Sequence, residues 1–342
     1  MTEHQILNSR VQDFSVAVVI PAYNCEQSID RAVQSVMDQT VPVDKIIIVD
    51  DGSSDRTVEV VRKLEQQFDC VHLIEQTNGG PAKARNTGIK SATSQWIAFL
   101  DADDAWLPNR LESQKSIIDA HPGVNWAGGA FTRIKFNSFG KKITVGESPK
   151  SPQLNGKPDG VFDALAEITN GTSVWTGCML IKRDELITLQ GFDNRIKGSE
   201  DIDLWVRLAI RNPQIGFVTT SIALYTIDQA GSLVGKNARS LDLTKFTFYE
   251  RLIEIAGQST GNTKFHLQKL LGQKIQSYTD NLLRTGRSDT ATEFIKLLKS
   301  KNMPLPRLAS RVLASIPNQM LKIIRSWILM RRSRKPTTKN GS

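Results

Sequence analysis

The sequence predicts an open α/β sheet of mostly parallel strands flanked by helices, and three observations carry that reading. Short apolar, β-branched runs alternate with one-faced helical stretches through the first hundred residues, which is the mark of βαβ units. The apolar runs stop at polar or glycine-rich turns. Two of those turns cluster carboxylates: Asp50-Asp51-Gly52-Ser53-Ser54-Asp55 and Asp101-Ala102-Asp103-Asp104. Open α/β sheets bind their ligands at the carboxyl ends of the strands, so the turns that end these strands set acidic oxygens where a ligand would sit.

Residues 15–20 (Ser-Val-Ala-Val-Val-Ile) read as a buried first strand, stopped by Pro21. Over 26–39, Ile29, Ala32, Val33, Val36 and Met37 share one face of a helix. Residues 45–49 form the second strand, a helix with Val58, Val61 and Leu64 starts at Arg56, and 71–74 form the third strand. After the Gly79-Gly80-Pro81 turn a helix spans 83–91, and 95–100 make the fourth strand. Beyond residue 105 the pattern loosens. Expected there are a strand over 124–134, a turn-rich loop over 136–158, a strand within 173–182, a helix over 202–210 and a strand or strand pair over 216–225. Residues 240–299 are helical by periodicity, with breaks at 257–261 and 285–287.

At 342 residues, 39% apolar and 23% charged, the chain has the composition of a globular protein with a substantial core. The net charge of +9 is uneven. Ten of the 44 basic residues lie at 301–342 with no acid among them, which leaves 34 basic against 35 acidic residues in the rest. That balance argues against a nucleic-acid-binding body. Cys25, Cys70 and Cys178 form no C-x-x-C pair, which fits reduced thiols in the cytoplasm and argues against a zinc site. No secretion signal is expected in 1–13, and the apolar stretch 320–330 is too short and too charged to span a bilayer.

Each polar turn admits a structural and a chemical reading. The 50–55 turn supplies helix caps. Two carboxylates before its glycine also suit a base, because Asp51 can accept an imide N–H such as that of uracil. Tyr23 is a core aromatic or a surface on which that base stacks. The 79–88 segment (Gly-Gly-Pro-Ala-Lys-Ala-Arg-Asn-Thr-Gly) is neither a Walker loop nor G-x-G-x-x-G. Its helix start, with Lys83 and Arg85 on the first turn, suits a pyrophosphate. The 101–104 cluster is a polar turn, with Asp104 capping a helix near Pro108, or a magnesium or manganese site completed by a substrate's phosphates. In Gly198-Ser199-Glu200-Asp201-Ile202-Asp203 the acids favour a helix dipole, or one of them serves as a general base.

Six strings taken in order resemble glycosyltransferase family 2: Val-Val-Ile-Pro-Ala-Tyr-Asn (18–24), the 50–55 and 79–88 strings, Asp-Ala-Asp-Asp (101–104), Gly-Phe-Asp (191–193) and Ser-Glu-Asp-Ile-Asp-Leu-Trp (199–205). The resemblance implies a GT-A fold over 14–235 that uses a nucleoside-diphosphate sugar, uridine-linked, and inverts the anomeric centre. It implies that Pro21 and Tyr23 line the base pocket, Asp51 reads the base, Lys83 and Arg85 lie near the diphosphate, and Asp101 approaches the ribose. Asp103 would bind Mn²⁺ or Mg²⁺, and Asp201 would be the catalytic base. The acceptor would be a glycan or lipid-linked glycan.

One segment departs from the family. Where many members carry Arg or His after the last core strand, this chain reads Tyr225-Thr226-Ile227-Asp228-Gln229-Ala230-Gly231-Ser232, and the Gln-x-x-Arg-Trp of processive synthases is absent. The rival readings are an inactive sugar-nucleotide binding module and a nucleotidyltransferase. A nucleotidyltransferase would carry a glycine-rich basic loop where Pro-Ala-Tyr-Asn stands. A helical extension is expected over 236–300 and a basic amphipathic tail over 301–342. The tail is either a packed helix with a solvated end or a segment lying on anionic lipid with Trp327 at the interface.

Overall fold

Five residues in a row, Val16 to Ile20, are completely buried, and a strand needs that run only where helices cover both faces of its sheet. They belong to β1 (Val16–Ala22) of a computed structural model that describes residues 14–136, 142–227 and 244–307. α1 (Ile29–Met37) follows, then β2 (Lys45–Asp50), α2 (Thr57–Gln67), β3 (Val71–Glu75), α3 (Pro81–Ser91) and β4 (Trp96–Phe99). β3, β2, β1 and β4 lie side by side and parallel in that order. The chain therefore builds outward from β1 and then returns to its other side, which makes the β1–β4 crevice the switch point where such sheets bind ligands. α3 approaches β1 closely because Gly88 lacks a side chain: a Cβ there would sit 2.4 Å from Val19 Cγ1.

The second half of the sheet is mixed. β5 (Ala105–Trp106), α4 (Arg110–Ala120), β6 (Trp126–Phe136), β7 (Lys142–Glu147), β8 (Gly160–Asp163) and α5 (Ala164–Asn170) lead to β9 (Leu180–Lys182). Then come α6 (Arg183–Thr188), α7 (Glu200–Arg211) and β10 (Gln214–Thr226). The sheet continues from β4 through β9, β6, β10 and β5. β9 runs antiparallel to both β4 and β6, while β10 runs parallel to β6.

One expectation changes in this half, and two are made more specific. The turn-rich loop over 136–158 contains β7, an exposed strand antiparallel to β6, with 137–141 outside the described residues. Its side chains are nearly all solvated, so no buried alternation announced it. The strand within 173–182 is only three residues long and follows a 3₁₀ turn (Thr176–Cys178). The strand or strand pair over 216–225 is one strand, bent by register shifts against β6.

The chain divides into two compact units, 1–236 and 237–342. Described by itself, the second is helical: α8 (Thr244–Gln258), α9 (Gly261–Arg284) and α10 (Ser288–Ser300), broken where the glycines predict. Its core centres on Phe294, whose ring meets Phe246 at 5.5 Å and Tyr278 at 4.9 Å. No helix among the described residues is long and apolar enough to cross a membrane.

Candidate active site

Four polar segments meet at the carboxyl edge of β1, β2 and β4. β1 ends in register with β2, Ala22 opposite Asp50, and the Asp51 N–H donates to the Ala22 carbonyl at 2.8 Å. Asp50 Oδ2 accepts the Gly52 and Ser53 N–H groups and shapes the turn. The N-cap falls on Arg56 and not on the expected Ser53, Ser54 or Asp55, although Asp55 Oδ1 accepts the Thr57 N–H of the first turn at 3.0 Å. Tyr23 is 52% exposed. That excludes the core-aromatic reading and leaves its ring open at the rim.

Asp51 is buried, and its oxygens are engaged by protein. Oδ1 accepts from Gln76 Nε2 at 2.7 Å and Gly79 N at 2.9 Å, and Oδ2 from Gly80 N at 2.7 Å. The carboxylate thus clamps the glycine turn that starts α3, and one lone-pair position on Oδ2 is left for a ligand. Lys83 is exposed at that helix start, with Nζ 3.3 Å from the Thr77 carbonyl. Arg85 is different. It is buried, with Nη2 2.7 Å from Asp101 Oδ1 and Nη1 3.7 Å from Glu200 Oε1. Burial works against its charge, but Asp101, then Glu200 and Asp201, hold its pKa above the usual value.

The Asp101–Asp104 turn is crowded with acid and short of partners. Burial, then the Asp101 charge, pushes the Asp103 carboxyl up to about 6. Asp104 is raised well above the ordinary range by burial and then by Asp103 and Asp101. The helix cap expected of Asp104 is not made. α4 starts at Arg110 after Asn109, and Asp104 Oδ1 instead accepts the Thr226 N–H at 2.6 Å. It ties the end of β10 to the acid turn, while its buried Oδ2 has no hydrogen-bond partner. Arg31 of α1 closes the turn from outside by donating to the Asp103 carbonyl.

α7 brings the last acids. Glu200 and Asp201 open it, with Asp201 Oδ1 accepting the Ile202 N–H at 2.7 Å. Glu200 is raised by burial and by Asp201. Asp203 is buried and ion-paired with Arg207 at 2.8 Å, and Arg207 also donates to the Leu189 and Gly191 carbonyls. Asp203 is thereby committed to holding α7 on the Gly191-Phe192-Asp193 turn, whose Phe192 backbone is gripped by Asn86. Of the three acids, Glu200 and Asp201 remain at the sheet's edge.

The chain matches the glycosyl transferase family 2 model over residues 17–187. It belongs to that family. It is 32% identical over 218 residues to the amylovoran biosynthesis glycosyltransferase AmsB of Erwinia amylovora, covering 62% of this chain and 68% of that one. It is 38% identical over 136 residues, 40% of this chain and 53% of the relative, to an Escherichia coli protein named UDP-Glc:alpha-D-GlcNAc-diphosphoundecaprenol beta-1,3-glucosyltransferase WfgD. The first curated relatives it matches are longer, and it spans 37% to 46% of their length. Among solved structures it is similar to S. aureus TarS 1–349 in complex with UDP-GlcNAc, with a TM-score of 0.60 at 20% identity over 82% of this chain and 81% of that one. The likeness establishes the GT-A fold.

Proposed function

We propose that the chain transfers a sugar from a nucleoside-diphosphate donor, uridine-linked, to an acceptor hydroxyl with inversion, in the synthesis of an envelope polysaccharide or glycolipid. One observation carries the reading. Arg85 stands between Asp101 and Glu200 and so joins the 79–88, 101–104 and 199–205 segments at one sheet edge. The family match and the names of the relatives support the same reading.

In this reading Tyr23 and Pro21 bracket the base, and Asp51 holds the Gly79–Gly80 turn while offering its remaining lone pair to the base N–H. Lys83 is the exposed cation for the diphosphate. Arg85 acts from behind, fixing Asp101 toward the ribose. The orphaned Asp104 Oδ2 and the raised Asp103 carboxyl fit a hard divalent cation, which Asp103 would hold together with the donor's phosphates. Mn²⁺ or Mg²⁺ bound there would stabilise charge on the departing diphosphate. Asp201 takes the acceptor proton as that oxygen bonds to the anomeric carbon, and the bond from that carbon to the diphosphate oxygen breaks on the opposite face. A lipid-linked glycan acceptor agrees with the basic tail of 301–342, whose residues beyond 307 lie outside the described ones; it would hold the protein to the cytoplasmic face of an anionic membrane.

Incubation with a panel of nucleotide sugars, with and without Mn²⁺, tests the reading. Cation-dependent release of nucleoside diphosphate from one uridine-linked donor is expected, and no release from any donor would overturn it.

A further inference from the structure

Five tryptophans fall among the described residues, and four of them, Trp96, Trp106, Trp126 and Trp205, are buried. Trp175 is not. Its ring is half-buried at the entrance to the 3₁₀ turn, and among the described residues its indole N–H has no acceptor. Trp106 and Trp126 spend theirs on backbone carbonyls. A partly exposed indole with an unspent donor is fitted to an amphipathic ligand.

The surroundings of Trp175 hold it in one pose. Its centroid lies 4.9 Å from that of Phe131 and 5.2 Å from that of Tyr225, both tilted against it. Its far edge lies over Gly177, where a Cβ would come within 2.2 Å of the indole carbons; only glycine lets the ring lie flat there. The turn beneath is itself immobilised. Three consecutive carbonyls, of Gly177, Cys178 and Met179, accept from Trp106 Nε1 at 3.1 Å, Gln114 Nε2 at 2.8 Å and Arg110 Nη2 at 2.9 Å. The Arg110 guanidinium is completely buried and stacks 3.6 Å from the Trp106 ring. A buried cation is a costly way to fasten a connecting loop, and the cost is understandable if the loop must present Trp175 without play.

The position is set by the acid turn. Tyr225, in contact with Trp175, precedes Thr226, and Thr226 is bonded to Asp104. Tyr225 thus joins the aromatic cluster of Phe131, Trp175 and Tyr225 to the end of β10 that Asp104 anchors. We infer that the exposed part of the Trp175 ring seats the pyranose ring of the acceptor, with the sugar's C–H face on the indole and one hydroxyl on the indole N–H. The inference rests on the glycosyltransferase reading above and adds to it a residue that selects the acceptor.

Saturation-transfer NMR on the full chain with UDP and Mn²⁺ present, using the octyl glycosides of glucose, galactose and N-acetylglucosamine as probes, tests it. Wild-type protein should bind at least one pyranoside. Trp175→Ala should weaken that binding about tenfold, the loss expected for about 1.4 kcal/mol of stacking, and Trp175→Phe should lose about threefold or less. Gly177→Ala, which keeps the indole but displaces it, should resemble Trp175→Ala. UDP affinity should stay within about twofold throughout, because stacking is lost only on the acceptor side. Unchanged pyranoside binding in Trp175→Ala would overturn the proposal. So would a wild-type complex with UDP that binds none of the three, or a Trp175→Ala whose UDP affinity falls instead. Failure of the underlying reading looks different: the wild type would not bind UDP at all.

Discussion

Two acid-bearing turns stand at the same sheet edge, and they treat their carboxylates in opposite ways. In the first, Asp51 is buried but receives three hydrogen bonds, two of them from the backbone of the glycine turn. In the second, burial pushes both carboxyls toward protonation, helped by Asp101 at Asp103 and by Asp103 and Asp101 at Asp104, and Asp104 Oδ2 is buried without a partner. A saturated carboxylate builds structure. An unsaturated cluster of like-charged acids is strained. The contrast separates the acid that shapes the site from the acids suited to ligate.

The sharpest way to break the comparison is Asp103→Asn. An amide is no substitute for a carboxylate as a hard anionic ligand, so transfer should fall to background. Titration of Mn²⁺ in the presence of UDP should show the lost affinity; wild-type affinity would refute the assignment.

Asp201→Asn should lower turnover by roughly 10²–10⁴ and leave donor binding nearly unchanged, because it removes a proton acceptor and no donor contact. Measuring kcat and donor affinity separately checks this. Glu200 is the competitor, and a Glu200→Gln variant that loses turnover while Asp201→Asn keeps it would reassign the base.

Asp51→Asn acts through the clamp. An amide nitrogen cannot accept the N–H that Oδ2 now holds, so about 1–3 kcal/mol of stability should go. Donor affinity should weaken about tenfold as the glycine turn loosens, since 1.4 kcal/mol is a factor of ten. Urea unfolding and UDP titration measure the two. Loss of affinity without loss of stability would mean that Asp51 serves the base more than the turn.

The smallest effect concerns pH. Asp103 has a folded-state pKa raised to about 6, so the metal-free fold prefers its protonated form. The stability this contributes is complete below the unfolded value near 3.8 and is lost as pH rises through about 6. Metal-free protein should accordingly melt a few degrees lower at pH 7.5 than near pH 5, and Asp103→Asn should flatten that part of the profile. A difference that survives the substitution would place the strain in Asp104 or Glu200.

Much of the first half was legible because its signals are local. The Val16–Ile20 run, the one-faced α1 and the Gly79-Gly80-Pro81 turn each declare themselves within a dozen residues. Glycines likewise marked the helix breaks of the second unit. β7 escaped because an edge strand with solvated side chains has no apolar alternation to read, and Trp175 escaped because an aromatic in an apolar stretch looks like core. Gly177 two residues later was the one hint, and its meaning depends on which ring lies above it.

The sequence alone determined the strand–helix order of the first hundred residues, the acid-tipped turns and the family, since six short strings in fixed order identify themselves without coordinates. Only the tertiary structure decided how those acids divide their work. Asp104 turned from helix cap to anchor because β10, 122 residues away, ends beside it. Arg85, expected beside a diphosphate, is a buried strut because α7 delivers Glu200 across 115 positions of chain. Burial and partner are properties of the folded neighbourhood, and for a charged side chain they set whether it binds, braces or reacts.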